Sequence, residues 1–301
     1  MLSIPEIASQ SLEKSITQSR NSKSARTLFI VGSKFVGKTT LIYSLLERSE
    51  NPKETLVLEY YFGRKTTQKQ EMDKMICHIW EYGGKLDILK NVLASVPVNG
   101  HLYYCVMVDL SKIKNIWEVL ETSLNSIKKM PLDNEKLEIV IICGKYDLFK
   151  NYDSEIKKFI CTTLRSIALI FKAQVFTYSS KETSLVWKMK EIFNSMCFEN
   201  EISAKDKNTN YTKPLTIPKG TDSWESIGIP SATFDQIKIR HMSRIPSDAP
   251  APTDNLLGPK RTHPEPVIES LLSAKYDELY NMGSFDFPIE DYIMNLLINN
   301  I

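Results

Sequence analysis

The 301-residue sequence carries 38 basic and 36 acidic side chains, a net charge of +2, with 42% hydrophobic and 25% charged residues. That balance offers no field for nucleic acid or an anionic membrane surface, and no apolar run reaches the roughly 18 residues of a bilayer span. The five cysteines (Cys77, Cys105, Cys143, Cys161 and Cys197) form no Cys-x-x-Cys pair, and "MLSIPEIASQSLEK" is no secretory signal, so a reducing, cytosolic setting is expected.

Residues 1–24 read as a helical or flexible lead. From 25 to 199, apolar strand-like runs alternate with helical patterns. "TLFIV" leads into "TTLIYSLLERS". "TLVLEYYF" and "KMICHIW" read as two strands joined by the polar "GRKTTQKQEMD". Then follow the helix "KLDILKNVLASV", the strand "LYYCVMVDL", the helix "NIWEVLETSLNSIKKM" and the strand "KLEIVIICG". The helix "DSEIKKFICTTLRSIALIFK", the strand "AQVFTYSS" and the helix "TSLVWKMKEIFNSMCF" close the series. Continuous apolar runs such as "CVMV" and "IVII" are what strands covered on both faces look like. The expected fold is α/β: a mainly parallel sheet with helices on both faces and one antiparallel edge strand.

Residues 200–301 change character. Polar, proline-rich segments dominate, and such sequence buries too little apolar surface to offset its ordering entropy. The expectation is an extended C-terminal arm with short helices. Within it, Trp224 in "TDSWES" is an aromatic anchor for a protein surface, with folding back onto the parent domain as the alternative. "VIESLLSAKYDELY" puts Ile268, Leu271, Leu272, Tyr276 and Leu279 along one helical face, which suits a partner groove or, alternatively, the parent domain.

The chemistry lies in "GSKFVGKTT", between the first strand and first helix. Gly32-x4-Gly37-Lys38-Thr39 is the full phosphate-loop pattern: backbone N–H groups converge on phosphate, Lys38 reaches the β- and γ-phosphates, and the Thr39 hydroxyl ligates Mg²⁺. Thr40 follows at the positive end of the same helix. A loop that keeps its shape without nucleotide is the competing reading. The dispersed histidines, His78, His101, His241 and His263, show no ligand spacing.

The spacing resembles the Ras-like small GTPases. At the place of their Asp-x-x-Gly stands "WEYGG", with Trp80 for the magnesium-binding aspartate, Gly83 for the γ-phosphate-sensing glycine and Gly84 for the glutamine that orients the attacking water. Tryptophan cannot hold Mg²⁺ and glycine cannot position water, so efficient hydrolysis is not expected. "GKYD" keeps Lys145 and Asp147 of the guanine-reading motif, with Gly144 for its asparagine, and "SSK" supplies Ser180 and Lys181. Thr55, sixteen residues past Thr39, has the distance of a switch threonine, against the commoner reading as a strand-start residue.

"LVLEYYFGRK", "WEYGG" and "KPLTIPKGTDSWESIGIP" together resemble the dynein light intermediate chains, in the branch of the second cytoplasmic dynein. The resemblance spans about residues 1–230. It implies a Ras-like domain used as a non-catalytic motor subunit that binds and stabilises the dynein 2 heavy chain, joins its other subunits and supports retrograde intraflagellar transport and cilium assembly. Cytoplasm, cytoskeleton and cilium (axoneme and basal body) are the implied locations. GDP or GTP with Mg²⁺ is the implied cofactor, kept as a fold ligand. An active GTPase switch in ciliary or vesicle traffic is the alternative. Neither end of the chain carries a lipidation motif to support it: residue 2 is Leu and the last residues are "INNI".

Overall fold

A computed structural model of the chain describes residues 26–66, 74–98, 100–128, 136–198, 207–246 and most of 267–275. Among the described residues, seven strands form one sheet: β1 (Arg26–Gly32), β2 (Leu58–Thr66), β3 (Lys74–Tyr82), β4 (His101–Asp109), β5 (Leu137–Gly144), β6 (Gln174–Thr177) and β7 (Thr216–Ile217). Their order is β2-β3-β1-β4-β5-β6-β7. The five inner strands are mutually parallel, while β2 and β7 run antiparallel to their neighbours, one at each edge.

Among the described residues, α-helices connect and cover these strands: α1 (Lys38–Leu45), α2 (Leu89–Ser95), α3 (Ile116–Lys128), α4 (Tyr146–Phe149), α5 (Ser154–Phe171), α6 (Thr183–Phe198), α7 (Trp224–Ile227) and α8 (Phe234–Arg244). On β4, Tyr104, Val106 and Val108 enter a core with α2, α3 and α5. The alternate residues Tyr103, Cys105 and Met107 enter a second core with α1 and α6 on the opposite face. The period-2 geometry of a strand makes this division. It explains why the inner strands read as unbroken apolar runs. All five cysteines are free and buried.

Each expected strand and helix of the segment 25–199 is present in the expected order. The boundary at 199 is not. The first compact unit runs through residue 248 and the second comprises 249–301. β7 extends the sheet beside β6, with Val175 opposite Ile217 and Phe176 opposite Thr216. α7 is clamped by Arg165 of α5, whose Nε and Nη2 donate to the two oxygens of Asp222 at 2.8 and 2.7 Å, with Nη2 also reaching Ser226 Oγ at 2.9 Å. α8 starts on a capping box between Thr233 and Gln236. It lays Phe234 and His241 on Trp117, with ring centroids 5.1 and 5.5 Å apart. Burial lowers the His241 pKa to about 4, so this ring docks as a neutral aromatic.

A composition average hides such docking. A few large side chains spaced among prolines and polar residues are enough once a preformed surface receives them. Trp224, read as an anchor for a partner or, alternatively, as folding back on the parent domain, is half-buried against its own domain. In the second unit, Ile268, Leu271 and Leu272 are exposed, and Tyr276 and Leu279 lie outside the described residues. No helix among the described residues is long and apolar enough to cross a membrane.

Candidate nucleotide-binding site

β1 delivers the chain into the loop at Gly32, and α1 begins after Gly37, whose φ of 103° is the left-handed conformation that a glycine admits without strain. Lys38 turns back inside the loop, its Nζ donating to the carbonyls of Gly32 and Ser33 at 3.2 and 3.1 Å. Burial lowers its pKa, and the nearby Glu81 carboxylate works the other way. A cavity of about 360 Å³ opens here, lined by Gly37, Lys38, Thr39, Thr40, Thr55 and Glu81 among others. Lys34 and Lys53 also face it, adding positive charge where an anion would sit.

The carboxylate of this site is Glu81. Thr39 Oγ1 donates to Glu81 Oε1 at 2.7 Å, and the Glu81 side chain is 1% exposed. Trp80, aligned with the magnesium-binding aspartate by resemblance, points to the other face and rests on Tyr60 with ring centroids 4.8 Å apart. The alignment of the motif therefore moves by one residue: Glu81-x-x-Gly84 is the working pattern, and Lys85 follows in the place of the catalytic glutamine. In either alignment, Gly84 or Lys85, no side-chain amide is supplied.

Burial pushes the Glu81 pKa up, against the Thr39 hydrogen bond, the Lys38 charge and the nearby Thr55 hydroxyl, which favour the ionised form. Its second oxygen and Thr55 Oγ1 are both buried without a hydrogen-bond partner. Orphaned oxygens at such a position are the donor set a hard divalent cation takes. Thr39, Thr55 and Glu81 could hold Mg²⁺, which when bound would neutralise phosphate charge. Thr55, which spacing alone left as an ordinary strand-start residue, thus belongs to the site.

The segment carrying Thr55 is fastened to the end of β3. Gly83 N–H donates to the Val57 carbonyl at 2.9 Å, and a Cβ at Gly83 would stand 1.9 Å from the Thr55 carbonyl oxygen. Only glycine permits this approach. The N–H assigned by resemblance to γ-phosphate sensing is engaged with the backbone instead.

The residues expected to read the base lie after the C-terminal ends of β5 and β6. Asp147 Oδ1 accepts from Ser179 Oγ at 2.7 Å, and Oδ2 pairs with Lys181 Nζ at 3.2 Å. Burial works against the Asp147 charge, but these bonds outweigh it and hold the pKa below the usual carboxylate range. It is the buried Ser179 that touches Asp147, while Ser180, expected at the site, is exposed. Lys145, expected to lie along the base, extends its Nζ to Asp109 Oδ2 at 2.8 Å. Asp109 also accepts from the Ser111 N–H and hydroxyl. At Gly144 an added Cβ would meet Val36 Cγ2 at 2.8 Å, so Val36 of the phosphate loop fills the place that the family's asparagine would enter.

A sheet with its first six strands in the order β2-β3-β1-β4-β5-β6, a phosphate loop leaving β1, and base-side residues following β5 and β6 define a Ras-like P-loop domain. The family described as "Ras of Complex, Roc, domain of DAPkinase" matches residues 27–147. Cytoplasmic dynein 2 light intermediate chain 1 of Danio rerio is 31% identical, over 85% of this chain and 85% of that protein. The proteins of that name from Bos taurus and Homo sapiens are 32% and 33% identical, covering 81% and 71% of this chain and 80% and 71% of their own length. The chain belongs to the cytoplasmic dynein 2 light intermediate chain family. Among solved structures, the conserved domain of a dynein light intermediate chain aligns with a TM-score of 0.48 and 12% identity, over 76% of this chain and 92% of that one.

Proposed function

We propose that this chain is a non-catalytic light intermediate chain subunit of the cytoplasmic dynein 2 motor. It binds and stabilises the heavy chain, associates with the other subunits and the intraflagellar transport machinery, and supports retrograde transport and cilium assembly. It works in the cytoplasm, on the cytoskeleton and in the cilium, at axoneme and basal body. The observation that carries this reading is identity above 30% across most of both chains with proteins of that name.

In this reading GDP or GTP, with Mg²⁺ at Thr39, Thr55 and Glu81, is a fold ligand. A ligand that binds only the native state stabilises it by RT ln(1 + [L]/Kd), roughly 2.7 kcal/mol at a hundredfold excess over Kd. Glycine or lysine in the glutamine position leaves attacking water unoriented, so the nucleotide stays unhydrolysed while still holding the loop. The exposed Ile268, Leu271 and Leu272, together with Tyr276 and Leu279 by the sequence pattern, are proposed to contact a partner.

Affinity purification of the tagged full chain from ciliated cells, read by mass spectrometry, tests the subunit role. Recovery of the dynein 2 heavy chain at near-stoichiometric yield is expected. Exchange factors or GTPase-activating proteins without heavy chain would overturn it. The specific observation favouring an active switch is the Thr39–Glu81 contact beside Thr55, since it preserves a metal-binding set. Single-turnover GTP hydrolysis that disappears in Lys38→Ala would support that second reading.

A further inference from the structure

We propose that two copies of this chain associate edge to edge through β2, paired antiparallel about Phe62. This goes beyond the subunit role and does not depend on it. Among the described residues β2 ends the strand order, with β3 on one side only. Such an edge is a template for another strand. Around it the surface is apolar: Leu56, Val57, Tyr60, Phe62 and Ile76 are exposed, with Phe62 59% exposed. Tyr60 stacks on Phe62 and lies beside His78 and Trp80 of β3. Large exposed aromatic patches on an edge mark association surfaces.

The sequence of β2, "LEYYFGRKT", chooses the occupant because it is complementary to itself. In an antiparallel pair, opposed residues share a face. A two-fold axis perpendicular to the sheet therefore passes through a residue pair of identical position. With the axis at Phe62, Glu59 opposes Lys65 of the second copy and Tyr60 opposes Arg64, each pair occurring twice. Opposite charges and an arginine beside an aromatic ring are favourable cross-strand neighbours. Moving the axis to Tyr61 puts Glu59 opposite Gly63. Moving it to Gly63 puts Lys65 opposite Tyr61. Only the Phe62 axis satisfies both ends, and it uses the full length of the strand. The isologous contact is closed by its own symmetry.

Cysteine cross-linking of the full chain tests the geometry, and the five native thiols are buried and do not compete. Under a mild oxidant Phe62→Cys is expected to form a reducible dimer. Tyr60→Cys is expected to link with Arg64→Cys when the two are mixed, and not with itself. Lys65→Glu in the Phe62→Cys background should lower the dimer yield severalfold, and adding Glu59→Lys should restore it. Circular dichroism of each variant confirms that it is folded. The proposal is overturned if Phe62→Cys stays monomeric, if Tyr60→Cys self-links as readily, or if charge reversal leaves the yield unchanged. Sedimentation of the unsubstituted chain that is monomeric at all concentrations would overturn it as well.

Discussion

The hydroxyl of Thr39, at the start of α1, meets the carboxylate of Glu81, near the end of β3, at 2.7 Å across 42 residues of sequence. The pairing of β1 with β3 sets this contact. Ile30 lies opposite Glu81 in the parallel ladder, so the carboxylate emerges beside the loop that β1 feeds. A buried acid, a loop hydroxyl and the buried amine of Lys38 then share one small volume.

Glu81→Gln separates stability from ligand binding. Burial holds the Glu81 pKa above its ordinary value, so the folded chain binds this proton more tightly than the unfolded one. Between the unfolded and the folded pKa, stability falls as pH rises. Glutamine keeps an oxygen for Thr39 and removes the buried charge. The ligand-free melting temperature at pH 7 is expected to rise, and its decline with pH across that interval to flatten. Magnesium-dependent nucleotide binding should weaken by roughly tenfold or more. A lower melting temperature in EDTA with an unchanged pH profile would contradict this account.

Ser179→Ala tests the base side. The hydroxyl holds the Asp147 carboxylate, and deleting one such bond costs about 1 kcal/mol. Asp147 should titrate at a higher pH in the variant, since the Ser179 bond helps lower its pKa. Any preference for guanine over adenine nucleotides, measured by competition with a fluorescent analogue, should narrow.

The Arg165–Asp222 pair fixes where the folded unit ends. Its side chains are 9% and 5% exposed, so Asp222→Ala strands a buried guanidinium and is expected to cost about 3–5 kcal/mol. Urea unfolding measures the loss, and limited proteolysis should show faster cleavage around α7. Burial opposes the Asp222 charge, but the Arg165 hydrogen bonds and charge hold its pKa below the ordinary value. This contribution is complete above the unfolded pKa and disappears as pH falls through the folded one. The wild-type protein should therefore lose stability in acid more steeply than Asp222→Asn.

The inner strands were legible in sequence because both their faces are buried, which leaves unbroken apolar runs. The phosphate loop was legible because its chemistry is local and its spacing fixed. Glu81 was missed for a geometric reason. A strand alternates its faces, so sliding a motif by one residue exchanges the side chain at the site for one on the far side. Trp80 and Glu81 occupy those two faces. Thr55 was ambiguous and Ser179 was passed over in favour of Ser180, because a hydroxyl acquires its contacts from tertiary neighbours. The docking of β7, α7 and α8 could not be read from composition, since it rests on Arg165, Trp117 and Phe159, all far back in the chain.

Gly144 and Val36 form a coupled pair. Substituting alanine at Gly144 forces a methyl to 2.8 Å from Val36 Cγ2, with Met107 Cε at 3.1 Å behind it. The Met107 tip can swing away, but Val36 is buried and held between Gly32 and Gly37 in the loop. Overpacking of this kind costs about 1–3 kcal/mol. The strain should reach the phosphate loop, so Gly144→Ala is expected to lower both stability and nucleotide affinity. Val36→Ala alone removes buried methyl groups and should destabilise as well. Combining the two replaces a clash and a cavity with one methyl filling the space the other vacates. The double variant should then be more stable than the sum of the singles predicts, with a coupling energy of about 0.5–3 kcal/mol. Strict additivity in a urea double-mutant cycle would mean that the loop yields freely. Val36 would then not be the reason that glycine stands in place of asparagine.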